Sequence, residues 1–237
     1  MDIKHDEGEV MIKYDISKSI ASSRTLCMPH QQDAVNALNN YYLMDSPKHP
    51  QSGLIVMPTG SGKTFTAVNW LLNTGVAKGY RILWLVHRQE LIDQTYSEFE
   101  NQLGCLSDYN IKTINMMKIS GSPGHSKMSQ ASRQDIYVCS ILSAASKNGR
   151  RFIRRMLGTP GAEKLIVIID EAHHATAPSY VKVLEIIEKI NPNRILLGLT
   201  ATPIRMSEYE TKRLNLMFNA MSNKSNKDKE PLSIFMK

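Results

Sequence analysis

Cysteine is scarce in this chain. Cys27, Cys105 and Cys139 are its three, far apart, with no Cys-x-x-Cys pair and no Cys/His cluster. That argues against a zinc site and against a secreted disulfide framework. Long apolar runs are also lacking: none approaches the ~18 residues of a membrane span. The amino end, Met-Asp-Ile-Lys-His-Asp-Glu, has no apolar core of a signal peptide, so a cytoplasmic location is expected. No repeat of about 20–50 residues is visible, which excludes solenoid and propeller architectures. Acidic residues are missing altogether from Ile136 to Ala162.

What is present is ordinary for a soluble globular domain. Of 237 residues, 42% are hydrophobic and 22% charged, enough for one sizeable core and too apolar for chain-wide disorder. Lys and Arg total 29 against 22 Asp and Glu, a net charge of +7. That excess suits a polyanionic partner without demonstrating one.

Short apolar runs alternate with helical patterns. Strands are expected at Val10–Ile16, Leu54–Met57, Arg81–Val86, Ile136–Cys139, Leu165–Ile169 and Ile195–Leu199. Helices are expected at His30–Met44, Thr64–Leu72, Gln89–Leu103, Leu142–Leu157 and Pro178–Ile190. Continuous aliphatic strands separated by helices predict an α/β fold, a mainly parallel sheet covered on both faces. Ile119–Arg133 reads as a surface loop, and Asn219–Glu230 as a linker or disordered segment.

Three motifs stand at strand ends. Met57-Pro58-Thr59-Gly60-Ser61-Gly62-Lys63-Thr64 follows a strand and opens a helix. The backbone N–H groups of Thr59, Gly60, Ser61 and Gly62 can surround phosphate oxygens at a helix N-terminus. Lys63 would reach the β/γ-phosphates, and the Thr64 hydroxyl would ligate Mg²⁺. The usual first glycine of such a loop is here Met57. Asp170-Glu171-Ala172-His173 follows the five-residue aliphatic run. Asp170 there can hold Mg²⁺, and Glu171 can orient or deprotonate a water. Gly198-Leu199-Thr200-Ala201-Thr202-Pro203 ends another strand. Its hydroxyls, Thr200 and Thr202, could hydrogen-bond to His173 or to the acids of the site.

A further feature is the helix Leu142–Leu157, with Lys147, Arg150, Arg151, Arg154 and Arg155 on one face. That face is either solvated surface or a patch for a phosphate backbone.

The succession Gly-Ser-Gly-Lys-Thr, Asp-Glu-Ala-His, Thr-Ala-Thr-Pro resembles the first RecA-like domain of superfamily 2 DEAD/DEAH-box helicases and translocases. The resemblance runs over roughly residues 24–206 and implies a three-layer αβα RecA-like P-loop domain that binds ATP and Mg²⁺. Pro29-His30-Gln31-Gln32 is similar to the segment that reads adenine, through Gln31. His87-Arg88-Gln89-Glu90-Leu91 resembles the motif whose Arg touches the nucleic-acid backbone, here Arg88, and Ser140 falls at a later phosphate-contacting strand end. The resemblance implies catalytic roles for Lys63, Asp170 and Glu171, coupling through His173, Thr200 and Thr202, and a nucleic-acid partner, DNA more than RNA. It also implies an arginine finger from a second RecA-like domain, absent from these residues. The expected organisation is an extension over 1–23, the motor domain over 24–218 and a linker or tail over 219–237. Two other readings of the loop stay open: a small-molecule kinase or signalling NTPase, and a non-catalytic nucleotide-binding or partner module. The missing Asn-Lys-x-Asp motif counts against a GTPase, and an intact Glu171 against a binding-only role.

Overall fold

The computed structural model describes residues 4–6, 9–17, 28–42, 51–121, 134–201, 212, 214, 217–218 and 233–235. The strands are β1 (Lys4–Asp6), β2 (Glu9–Asp15), β3 (Gln51–Val56), β4 (Arg81–Val86), β5 (Thr113–Ile119), β6 (Ile136–Ser140), β7 (Leu165–Ile169), β8 (Ile195–Thr200) and β9 (Ser233–Phe235). The helices are α1 (Pro29–Tyr41), α2 (Lys63–Trp70), α3 (Glu90–Gln102), α4 (Ile141–Ala145), α5 (Lys147–Leu157) and α6 (Pro178–Ile190). One sheet holds all nine described strands in the order β1-β2-β5-β6-β4-β7-β8-β3-β9. The pairs β1–β2 and β2–β5 are antiparallel, and every other neighbouring pair is parallel. The expected α/β architecture is what the chain adopts.

The aliphatic runs become strands buried on both faces, because side chains alternate across the pleat. Ile166 and Ile168 of β7 pack with Val68, Trp84 and Phe99 in one core. Leu165, Val167 and Ile169 pack with Phe152, Val183 and Leu196 in the other. Helices α1, α2 and α3 cover the first face, and α4, α5 and α6 the second. The sheet is thus the middle of three layers.

Two expectations are corrected. Ile119 is the last residue of β5, not the start of a loop, and residues 122–133 of that loop lie outside the described ones. The helix expected over Leu142–Leu157 is two helices. Ser146 between them is extended (φ −61°, ψ 162°), and its side chain accepts the Gly149 N–H to cap α5. The corner is tight: a Cβ on Gly149 would lie 1.9 Å from the Ser143 carbonyl oxygen. Residues 43–50 and the segment 219–230 also lie outside the described residues. Glu9–Asp15, from the expected N-terminal extension, pairs along β5. Among the described residues, no helix is long and apolar enough to cross a membrane.

Candidate functional site

Parallel strands bring their carboxyl ends to one edge of the sheet, where loops converge on ligands. β3 delivers Met57 and the glycine loop there, β4 delivers His87 and Arg88, β6 delivers Ser140, β7 delivers Asp170, and β8 delivers Thr200. The ends are tied by backbone bonds, Met57 N–H to Thr200 O at 3.1 Å and Asp170 N–H to Leu85 O at 2.9 Å. Met57, in place of the usual glycine, is fully buried in the core beneath the loop.

The loop has the backbone that its glycines permit. Gly60 and Gly62 have φ of +81° and +84°, a region costly for other residues. Nothing lies within 4 Å of a Cβ built on Gly60, so its outer face is open. Gly62 is the N-cap of α2, so the α2 N-terminus opens directly behind the loop. A Cβ on Gly62 would sit 2.3 Å from Gln31 Nε2.

Gln31 is buried under this loop rather than facing an open pocket. Its Nε2 donates to Ser61 O at 3.0 Å, and its Oε1 accepts the Met28 N–H at 2.9 Å. His30 Nε2 lies 3.0 Å from the same Ser61 carbonyl. Each end of the Gln31 amide thus has a partner inside the chain, leaving its second N–H and a second oxygen lone pair for further contacts.

The glycine loop and the Asp170 turn face each other across a cleft of about 330 Å³, lined by Thr59, Gly60, Gly62, Lys63, Thr64, Asp170 and Glu171 among others. The far wall is α3, through Leu91, Gln94, Thr95 and Glu98. Sequence reasoning missed these four, and also Phe65. Their spacing marks one helix face, but their types carry no chemical signature.

Asp170 is buried, and its carboxyl is pushed up to about 6, by burial first and by the charge of Glu171 next, against the Glu171 N–H bond and Lys63. A carboxylate held dry beside a second acid, with the Thr64 hydroxyl in the same cleft, is a donor set that a hard divalent cation would relieve. Thr64 and Asp170 therefore fit Mg²⁺.

Glu171 has φ +50° and ψ 57°, an uncommon left-handed conformation for such a residue. It starts the short turn Ala172–His174. His173 Nδ1 lies 3.3 Å from Glu171 Oε2 and 3.3 Å from Thr200 Oγ1. His173 thus joins the acid turn to the end of β8, while Thr202 lies outside the described residues. The next residue makes a link that the sequence did not suggest. The His174 ring stacks on His87 at 3.8 Å and 14°. Burial lowers the pKa of both rings, with His174 adding to the effect on His87 and His173 to that on His174, so both are neutral at pH 7. Arg88, adjacent to His87, is exposed. Ser140 is buried: its Oγ accepts the Ser143 N–H at 3.1 Å and donates to Ser143 Oγ at 2.7 Å. It caps α4, and its side chain is not presented at the surface.

The chain is similar to known proteins over most of this architecture. A family model described as "Type III restriction enzyme, res subunit" matches residues 25–205. A "51.5 kDa protein" of a Lactococcus phage is 30% identical over 154 residues, covering 65% of this chain and 25% of the phage protein. The "ATP-dependent DNA helicase MPH1" of Saccharomyces cerevisiae is 28% identical over 156 residues, covering 65% of this chain and 14% of the yeast protein. The chain thus spans a quarter or less of the length of these relatives. Among solved structures, a hypothetical ATP-dependent RNA helicase from Sulfolobus tokodaii superposes with a TM-score of 0.57 at 20% identity, over 88% of this chain and 55% of that one. This last likeness is one of fold.

Proposed function

The chain belongs to the family of type III restriction enzyme res subunits, and from that premise we propose that it is the ATP-binding motor domain of a DNA helicase or translocase. The observation that carries this reading is that Gly60, Gly62, Lys63 and Thr64 line one cleft together with Asp170 and Glu171. A phosphate cradle needs only the loop. A hydrolytic site also needs a metal-holding acid and a second acid to prepare water, roles for which Asp170 and Glu171 in the same cleft are the candidates.

In this reading the loop amides and the α2 N-terminus hold the phosphates of ATP, and Lys63 adds a mobile cation at the β/γ end. Thr64 and Asp170 would hold Mg²⁺, which when bound neutralises charge on the β- and γ-oxygens. Glu171 orients the attacking water and takes its proton. His173, between Glu171 and Thr200, reports nucleotide state to the end of β8. Gln31 braces the loop from below. Arg88, exposed at the end of β4, contacts the nucleic-acid backbone, DNA rather than RNA. A cytoplasmic setting is part of this proposal.

The test is nucleotide binding by the 237-residue chain. Binding should require Mg²⁺ and should weaken at least tenfold in Lys63→Ala. A Lys63→Ala protein that binds Mg²⁺-ATP as tightly as the parent would overturn the assignment.

A further inference from the structure

Helix α5 is built against its own electrostatics. Helix N-termini favour anions, yet α5 has no acidic residue in its first turn and starts with Lys147. Lys147 and Arg151, Arg150 and Arg154, and Arg151 and Arg155 stand four residues apart, the spacing at which like charges destabilise a helix. Only Arg154 and Arg155, in the last turn, suit the helix dipole. Lys147, Arg151, Arg154 and Arg155 are exposed, and among the described residues none of them is in an ion pair. Arg150 differs: it is half-buried and donates to the Ala145 carbonyl, closing the end of α4. The buried side is complete without the charges, since Gly149, Phe152, Ile153, Met156 and Leu157 fill it. Folding therefore accounts for Arg150; Arg154 and Arg155 suit the dipole, and Arg154 reaches the Arg150 carbonyl at 3.5 Å, but the like-charge spacing along the exposed face is unfavourable to the helix.

The helix also has a direction. It begins seven residues after Ser140, at the edge that carries Arg88 and the cleft. It ends at the opposite edge, where Arg81, the first residue of β4, donates to the Met156 carbonyl at 3.1 Å. Lys147 to Arg155 is eight residues, a rise of about 12 Å. Projected on a duplex axis, where one strand carries a phosphate about every 3.4 Å, that length covers three to four phosphates. No aromatic side chain is on the exposed face, because Phe152 points into the core. Single-strand binding leans on aromatic stacking platforms; a row of cations alone suits the backbone of a duplex.

We infer that the exposed face of α5, through Lys147, Arg151, Arg154 and Arg155, is a docking surface for the phosphate backbone of duplex DNA flanking the motor cleft. It extends the DNA contact from the Arg88 edge down the side of the domain. The inference rests on the DNA-motor reading above. Binding there is sequence-independent, and it relieves the repulsion that the helix carries when free.

The experiment is fluorescence anisotropy of the 237-residue chain with a labelled 25-base-pair duplex and the matching single strand, from 50 to 300 mM salt. The comparison is the triple variant Arg151→Gln/Arg154→Gln/Arg155→Gln, with nucleotide binding measured in parallel. The expected result is duplex affinity at least tenfold weaker at 100 mM salt. The slope of log affinity against log salt should be shallower by about 0.9 for each contact removed. Single-strand affinity should fall less, Mg²⁺-ATP binding should not change, and the melting temperature should hold or rise. If the triple variant does not fold, Arg151→Gln and Arg155→Gln alone must each flatten the slope by about 1. Unchanged duplex affinity and slope in a folded variant would overturn the inference, as would equal losses on duplex and single strand, or no duplex binding by a parent chain that binds Mg²⁺-ATP. Failure of ATP binding with the duplex effect intact would overturn the motor reading and leave the docking surface standing.

Discussion

Replacing Asp170 by Asn should make the metal-free, nucleotide-free protein more stable at pH 8. The Asp170 carboxyl titrates at about 6 instead of 3.8, because it is buried and faces Glu171. A carboxyl raised in this way binds more protons folded than unfolded between about pH 4 and 6. Stability therefore falls as pH rises through that window, and the full cost is present above it. The gap corresponds to on the order of 3 kcal/mol. The Asn side chain keeps an oxygen for the Glu171 N–H bond but carries no charge, so most of that cost should be recovered. For a chain of this size ~1 kcal/mol moves the melting temperature by about 2–4 °C, giving a rise of about 4–10 °C. The assay is a thermal melt in EDTA at pH 8 and at pH 4.5. At pH 4.5, near the bottom of that window, only about 1 kcal/mol of the cost is present, so the gain of the variant over the parent should shrink to roughly a third. Mg²⁺-ATP should stabilise the parent and not the variant. An Asn variant that melts at or below the parent at pH 8, or one whose gain is the same at both pH values, would refute the reasoning.

Further expectations concern the cleft and the loop that borders it. An arginine finger contributes about 10³–10⁵ in rate, and the resemblance assigns it to a second RecA-like domain. ATP turnover by residues 1–237 alone should thus be slow or undetectable, and in a protein carrying both domains Glu171→Gln should retain ATP binding and lose turnover in a phosphate-release assay. Gln31→Ala removes bonds to Ser61 O and Met28 N, so it should lower stability by about 1–2 kcal/mol. If Gln31 acts only by bracing the loop, titration calorimetry should show ATP and GTP affinities falling together; a loss confined to ATP would assign it to the base.

The parts of the fold that the sequence reveals are those where residue type alone decides the structure. Leu165–Ile169 and Ile195–Leu199 are legible because a strand buried on both faces has no polar positions. The glycine loop and Asp170-Glu171 are legible because phosphate and water chemistry allow few substitutes. β5 was missed for the opposite reason. Thr113-Ile-Asn-Met-Met-Lys-Ile119 mixes polar and flexible side chains, and it is extended because β2 and β6 pair with it on either side. The break in the helix expected over Leu142–Leu157 depends on an approach of Gly149 to Ser143 that no periodicity encodes. The α3 wall and the His87–His174 stack are likewise products of strand order, since β4 and β7 are neighbours though more than 80 residues apart in sequence.

Strand β9 has a practical consequence for anyone attaching a reporter to this molecule. It lies beside β3, with Phe235 level with Val56, so a dye placed just after it sits next to the strand that feeds the glycine loop. β1 is the outermost strand at the other edge. Eight strand spacings of about 4.8 Å put the two edges roughly 38 Å apart. A label at the amino end is a quiet anchor for surface attachment, far from the nucleotide. A label or tag joined beside β9 is one strand away from the strand that leads into the glycine loop, and a bulky tag there risks disturbing that pairing.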